Sequence, residues 1–111
     1  MKPLLEKDIQ AQCLQYLSLV GIPAWRQNQG LFCDAKGKRR VKAAHIEGIS
    51  DIIGLIPPIG RFLAVEVKRP GRHPEPHQES FLGWVNQKGG LGVCVHSVDE
   101  LEEAIKNLEE K

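Results

Sequence analysis

At 111 residues, 41% apolar and 26% charged, the chain has the make-up of one soluble globular domain over residues 1–111, large enough for a single core without staples. No apolar run approaches the roughly 20 residues that span a bilayer, and the amino terminus reads as an acidic amphipathic helix rather than a signal peptide, so a cytoplasmic protein with no membrane partner is expected. Its 3 cysteines, Cys13, Cys33 and Cys94, are widely spaced and odd in number, which argues against a disulfide framework. The net charge of +1 hides an asymmetry. Residues 97–111 hold six acids against Lys106 and Lys111, which leaves residues 1–96 with 13 basic and 8 acidic side chains. Five of those bases, Lys36, Lys38, Arg39, Arg40 and Lys42, sit within seven positions, and Lys68, Arg69 and Arg72 form a second group. Such local concentrations suit a polyanion; a charge run by itself is more often a solvated hairpin tip, and a candidate metal site beside it reverses that balance.

Leu5, Ile9, Cys13, Leu14, Leu17 and Val20 recur at helical spacing, and Gly21 with Pro23 supplies a stop, which predicts a helix over about 3–20. Ile22 to Gln27 reads as a short strand. The Gly-rich, basic stretch from Gly30 to Lys42 reads as a hairpin or mobile loop. Two apolar runs follow, Ile52-Ile53-Gly54-Leu55-Ile56 and Arg61 to Lys68, with Pro57-Pro58-Ile59-Gly60 as the turn that folds one back on the other. The three prolines between Arg69 and Pro76 break both helix and ladder. A helix then starts near Pro76, buries Phe81, Leu82, Trp84 and Val85, and ends at Gly89-Gly90. Leu91 to His96 is a strand, and Ser97-Val98-Asp99-Glu100 opens a last helix as a capping box, with Leu101, Ala104, Ile105 and Leu108 facing inward. The fold class is α/β: a mixed β-sheet flanked by helices, in the order α-β-β-β-α-β plus a C-terminal helix, with the basic hairpin inserted. Trp25 and Trp84 are expected in the core.

The chemistry concentrates at the ends of the two central runs. Glu66 and Lys68 alternate along one strand and therefore share a face. Charges at the end of a buried strand must be paired or bind a metal. The Pro-Pro turn brings Asp51 opposite the Glu66 end of the partner strand. Two carboxylates with a lysine form a divalent-cation site with a cation left over, the layout that phosphodiester cleavage needs. Asp51 and Glu66 are the expected ligands of Mg²⁺ or Mn²⁺, and Lys68 the residue that orients or deprotonates water and neutralises transition-state charge. The plain alternative is a structural ion-pair cluster.

The ordered set Asp51…Glu66-x-Lys68 resembles the PD-(D/E)xK nuclease signature, and its neighbours narrow the resemblance to the VRR-NUC family. These are Glu6 in the first helix, Arg26-Gln27-Asn28-Gln29-Gly30 after the first strand, Gly48 three residues before Asp51, and Gln78 after the lysine. The likeness spans about Glu6 to His96. Ser50 departs from it, standing where the wider superfamily often has proline. The resemblance implies a restriction-endonuclease-like core. It adds the backbone carbonyl of Val67 to the metal ligands, Glu6 as a further ligand or second-metal residue, and Gln78 as a hydrogen-bond partner of the water or a phosphate. Arg26 and Asn28 would lie near the cut phosphate, and Lys38, Arg39, Arg40, Lys42, Arg69 and Arg72 would bind the DNA backbone. Similar stand-alone proteins are phage-encoded, dimeric, structure-selective endonucleases of the Holliday-junction-resolving type. The expectation is therefore a metal-dependent endodeoxyribonuclease that acts as a homodimer on branched DNA, in the cytoplasm of a bacterium or of a phage-infected host. The alternatives are a sequence-indifferent or restriction-like DNA nuclease, or a non-catalytic nucleic-acid-binding module of the same fold.

A histidine and cysteine set competes. Cys94 and His96 share a strand face, and His73 and His77 flank the proline loop. No Cys-x-x-Cys or His-Glu-x-x-His is present, while catalytic zinc wants three protein ligands. His45, His73 and His77 are candidates for phosphate contacts, although each alone is more often an ordinary surface residue. Ser-His-Asp catalysis has no supporting motif.

Overall fold

A computed structural model describes residues 4–27, 31–33, 40–42 and 46–109. Helix α1 (Glu6–Leu19) opens where the Leu5 N–H donates to Asp8 Oδ2 at 3.1 Å, so an acid of the first turn answers one of the free N–H groups. Ile9, Cys13 and Leu17, four residues apart, are buried, whereas Leu5 and Val20 at the two ends of the stripe stay half exposed. Strand β1 (Ala24–Arg26) is shorter than the expected run. The basic stretch forms strands β2 (Leu31–Cys33) and β3 (Arg40–Lys42), which pair antiparallel as a sheet of their own.

The prolines and glycine at 57–60 turn β4 (Ile52–Ile56) back into β5 (Arg61–Val67), antiparallel, with Ile52 opposite Val65 and Ile56 opposite Arg61. Helix α2 (Pro76–Gln87) then carries the chain across to β6 (Leu91–Val95), which pairs parallel with β5, and α3 (Val98–Glu109) follows. The central sheet has the order β1-β4-β5-β6. Alternation along β4 and β5 divides the core. Ile52, Leu63, Val65 and Val67 meet Ile9, Cys13 and Leu17 of α1 and Leu101 and Ile105 of α3. Ile53 and Ala64 on the opposite face meet Phe81, Leu82 and Val85 of α2. The α2 end is fastened to β6 by Asn86, whose side chain accepts from the Gly92 N–H at 2.8 Å and donates to the Gly92 carbonyl oxygen at 3.0 Å.

Both tryptophans leave the expected core. Helix α2 packs on β5 and β6, not on the far strand β1, so Trp25, level with Ile53, remains 45% exposed. Trp84 lies beside the buried stripe of α2, tilted against Phe81, and is 52% exposed. No helix among the described residues is long and apolar enough to cross a membrane.

Candidate active site

The β4–β5 register sets Asp51, one residue before β4, level with Glu66 near the end of β5. Both side chains fall on the α2 face of the sheet, because Ile53 and Ala64, two residues away on each strand, face α2. Asp51 is held from two sides. Its carbonyl oxygen accepts the Gln27 N–H at 2.8 Å, which continues the β1 pairing, and its Oδ2 accepts the Val67 N–H at 2.8 Å. Lys68 Nζ lies 3.8 Å from Glu66 Oε2, so the two alternate residues of β5 do share a face.

The first turn of α2 closes the site from above. The Glu75 N–H donates to Gln78 Oε1 at 2.8 Å, which commits the amide oxygen and turns Nε2 toward Glu66 Oε2 at 3.1 Å. Gly48 explains how this turn meets the Asp51 loop. It has φ +75, and a Cβ there would lie 2.1 Å from the His77 carbonyl oxygen, so only glycine lets the loop rest on the backbone of α2. Ser50 is fully buried with no hydrogen-bond partner for its Oγ, in keeping with a position that shapes backbone rather than donating a bond. From the other side, α1 brings Glu6, whose Oε2 accepts the Arg69 N–H at 3.3 Å.

Glu66 is the electrostatic centre. It is 2% exposed, and its Oε1 is buried without a hydrogen-bond donor. Burial first, then the charge of Asp51 and a proton shared with the Asp51 carboxyl, push its pKa up to about 8; Lys68 pulls the other way and Glu6 adds to the rise. A buried carboxylate beside a second carboxylate calls for a shared proton or a cation. The donor set fits a hard divalent cation such as Mg²⁺, which takes one or two carboxylates and keeps several waters. Among the described residues no three His, Cys, Asp or Glu side chains gather as ligands, so the three protein ligands of a zinc site are not assembled and Glu6, bonded to the Arg69 N–H, does not join Asp51 and Glu66 as a third carboxylate ligand. Cys94 is the register partner of Glu66, and burial raises its thiol pKa to about 11, so it lacks thiolate character. His96 turns away to bond Glu100 and Arg72.

The remaining sequence candidates divide by location. The Arg26 guanidinium donates to Gln10 Oε1 at 3.0 Å and to the Lys7 carbonyl oxygen at 3.1 Å, on the α1 side. Arg69 and Arg72 lie just beyond Lys68, lining a cleft with Leu4 and Pro70. Arg40 and Lys42 are on β3, and Asn28, Lys38 and Arg39 lie outside the described residues. Sequence reasoning set His96 beside Cys94 and missed its bond to Glu100; the signal was available in Ser97-x-x-Glu100, a capping box whose acid can reach back past the cap.

No protein-family model matches the sequence, and no curated protein is similar to it. Solved structures are. One titled "VRR_NUC domain" has 20% sequence identity and a TM-score of 0.64, over 91% of this chain and 94% of that one. Another, a "VRR_NUC domain protein", has 20% identity and a TM-score of 0.61, over 95% of this chain and 88% of that one. The chain has the VRR-NUC fold. At that identity the likeness carries the fold, and the residues of the site rest on their own geometry within it. In this VRR-NUC fold the Asp51–Glu66 hairpin end, the first turn of α2 and the start of α1 converge at one end of the two central strands.

Proposed function

We propose that the protein is a divalent-metal-dependent DNA endonuclease that hydrolyses phosphodiester bonds. The observation that carries this reading is the buried, donorless Oε1 of Glu66 beside Asp51, with a lysine ammonium 3.8 Å from the other oxygen of the same carboxylate. A structural ion pair needs one carboxylate for its lysine. A second acid driven against the first is costly unless something positive occupies the gap. The VRR-NUC likeness supports the same reading.

Hydrolysis joins a water oxygen to phosphorus, breaks one ester bond and protonates the departing oxygen. Asp51 and Glu66 would hold Mg²⁺ or Mn²⁺ with the Val67 carbonyl, and the bound ion supplies Lewis-acid polarisation of the phosphate. Lys68 orients the attacking water and neutralises charge that grows on the phosphoryl oxygens. Gln78 fixes the Glu66 carboxylate through Oε2 and leaves Oε1 for the ion. Glu6 closes the site at the Arg69 end, and Arg69, Arg72 and the basic hairpin grip neighbouring phosphates, with Arg26 and Asn28 nearer the cut.

Within this reading the preferred substrate is branched DNA, cut by a homodimer in the manner of a Holliday-junction resolvase, in a bacterial or phage-infected cytoplasm. The test is a cleavage panel of duplex, flap, splayed and four-way DNA with Mg²⁺, Mn²⁺ or EDTA. Metal-dependent cutting that favours the four-way substrate is expected. Equal cutting of all four forms would leave a structure-indifferent nuclease.

A further inference from the structure

Arg69-Pro70-Gly71-Arg72 directly follows the catalytic lysine and forms a tight turn. The Arg72 N–H donates to the Arg69 carbonyl oxygen at 3.0 Å, and Gly71 has φ +87. Proline at the second position and a positive-φ glycine at the third make this a type II turn, which keeps the first and fourth Cα atoms within about 7 Å. Both ends of the turn are therefore arginine. With Leu4 and Pro70 they line a cleft of about 350 Å³, and neither guanidinium is paired with a carboxylate among the described residues. The Arg69 end is fixed by its N–H bond to Glu6.

His96 fixes the other end. Its Nε2 lies 2.9 Å from the Arg72 carbonyl oxygen and its Nδ1 3.0 Å from Glu100 Oε1, which also accepts the His96 N–H at 3.0 Å. Both ring nitrogens face atoms that only accept, so both bonds exist together only when the ring carries two protons. A neutral ring keeps one bond and turns a lone pair toward the other acceptor.

We propose that His96 is a positioning residue that, as an imidazolium, holds the Arg69–Arg72 turn in the shape that binds a DNA backbone phosphate beside the one cleaved at Asp51 and Glu66. The inference rests on the nuclease reading only for the identity of that ligand. The Arg72 carbonyl first, then the Glu100 carboxylate, hold the His96 pKa above its ordinary value, against a small effect of burial. A raised histidine pKa means that the contact is fully present below the ordinary value and is lost as pH rises through the raised one. The charged and titratable groups set against the ring are Glu100 on α3 and Arg72 and His73 in the loop; the His73 ring sits edge-on at 6.5 Å.

The test uses the full chain carrying Glu66→Gln, in EDTA, with a fluorescent short duplex as probe, so that residue 66 no longer titrates and nothing is cut. Affinity is followed from about pH 6 to about pH 9 at fixed salt, where histidine changes charge. Binding should weaken roughly three- to tenfold as pH rises. His96→Ala should bind weakly throughout, with a flatter profile. Glu100→Gln keeps an acceptor for Nδ1 but removes the charge, and should move the loss of affinity to lower pH. Arg69→Ala with Arg72→Ala should match His96→Ala, and combining all three should lower affinity no further, as expected of residues that act as a unit. Should His96→Ala melt far below its parent, Glu100→Gln and an NMR titration of the His96 ring decide instead. An unchanged profile in His96→Ala or Glu100→Gln overturns the proposal, as does a loss that adds to that of the arginine pair. Those outcomes leave the nuclease reading to its own cleavage test, whereas a parent that binds no DNA at any pH overturns both.

Discussion

Burial and a neighbouring carboxylate separate Glu66 from a surface acid: without metal it holds its proton until about pH 8, against an ordinary 4.5. Between those values the folded protein binds more protons at this site than the unfolded chain, so stability is fully present below pH 4.5 and is lost as pH rises toward 8. Thermal melts in EDTA should therefore fall in midpoint across that window, Glu66→Gln should remove most of the fall, and Mg²⁺ should raise the midpoint most at the alkaline end, where the site is ionised. A parent and a Glu66→Gln variant with superimposable pH profiles would count against the paired-carboxylate site. Gln78 is testable at the same scale. Its amide holds Glu66 Oε2 at 3.1 Å, so Gln78→Ala should lower cleavage by roughly 10- to 100-fold while the melt changes little. A Gln78→Ala enzyme with full activity would reduce this bond to helix decoration.

The turn from β4 to β5 and the first turn of α2 are the elements that assemble the site, and they differ in how far the sequence disclosed them. Two apolar runs joined by Pro57-Pro58-Ile59-Gly60 have one sensible pairing, so the approach of Asp51 to Glu66 was legible from alternation and turn chemistry alone. The seat of the Gly48 loop on the His77 carbonyl was not, because it depends on how α2 lies over the sheet, a tertiary fact with no local period. The exposure of Trp84 was hidden for a related reason: Phe81-Leu82-Gly83-Trp84-Val85 is too uniformly apolar for spacing to say which side chain falls outside the stripe. Gly48→Ala is the direct probe. The φ of +75 and the 2.1 Å approach should together cost about 1–3 kcal/mol in urea unfolding and displace Gln78 enough to lower cleavage. An unperturbed Gly48→Ala protein would mean that the loop moves freely against α2. The basic stretch that ends in β3 offers a second test, since Lys38→Ala, Arg39→Ala, Arg40→Ala and Lys42→Ala combined should reduce the salt dependence of DNA binding by about one in slope per lost phosphate contact. An unchanged slope would return that cluster to a solvated loop tip.

For the whole molecule, the proposed four-way substrate would present two scissile phosphates related by an approximate two-fold axis, and a chain with one site would match them as a C2 dimer. The turn residue Ile59 is 78% exposed, and Trp25, Leu55, Phe62 and Trp84 are 40–52% exposed, which leaves apolar area beyond the two cores. Light scattering at micromolar concentration should report about twice the 12.4 kDa chain mass, and mixing active chains with Glu66→Ala chains should yield four-way junctions nicked on one strand only. A monomeric mass with undiminished two-strand cutting would replace the proposed resolvase reading with that of a nicking endonuclease. The claim on which the rest depends is that Asp51 and Glu66 form a divalent-metal site for DNA cleavage, with Lys68 beside it. Its most direct measurement is DNA cleavage by the parent and by Glu66→Gln, each purified to homogeneity, with Mg²⁺ titrated from zero and heat released on metal binding recorded in parallel. The expected result is saturable metal binding and metal-dependent cutting by the parent, both lost in Glu66→Gln with the fold intact by circular dichroism; full cleavage by Glu66→Gln, or cleavage by the parent that EDTA does not stop, would contradict it.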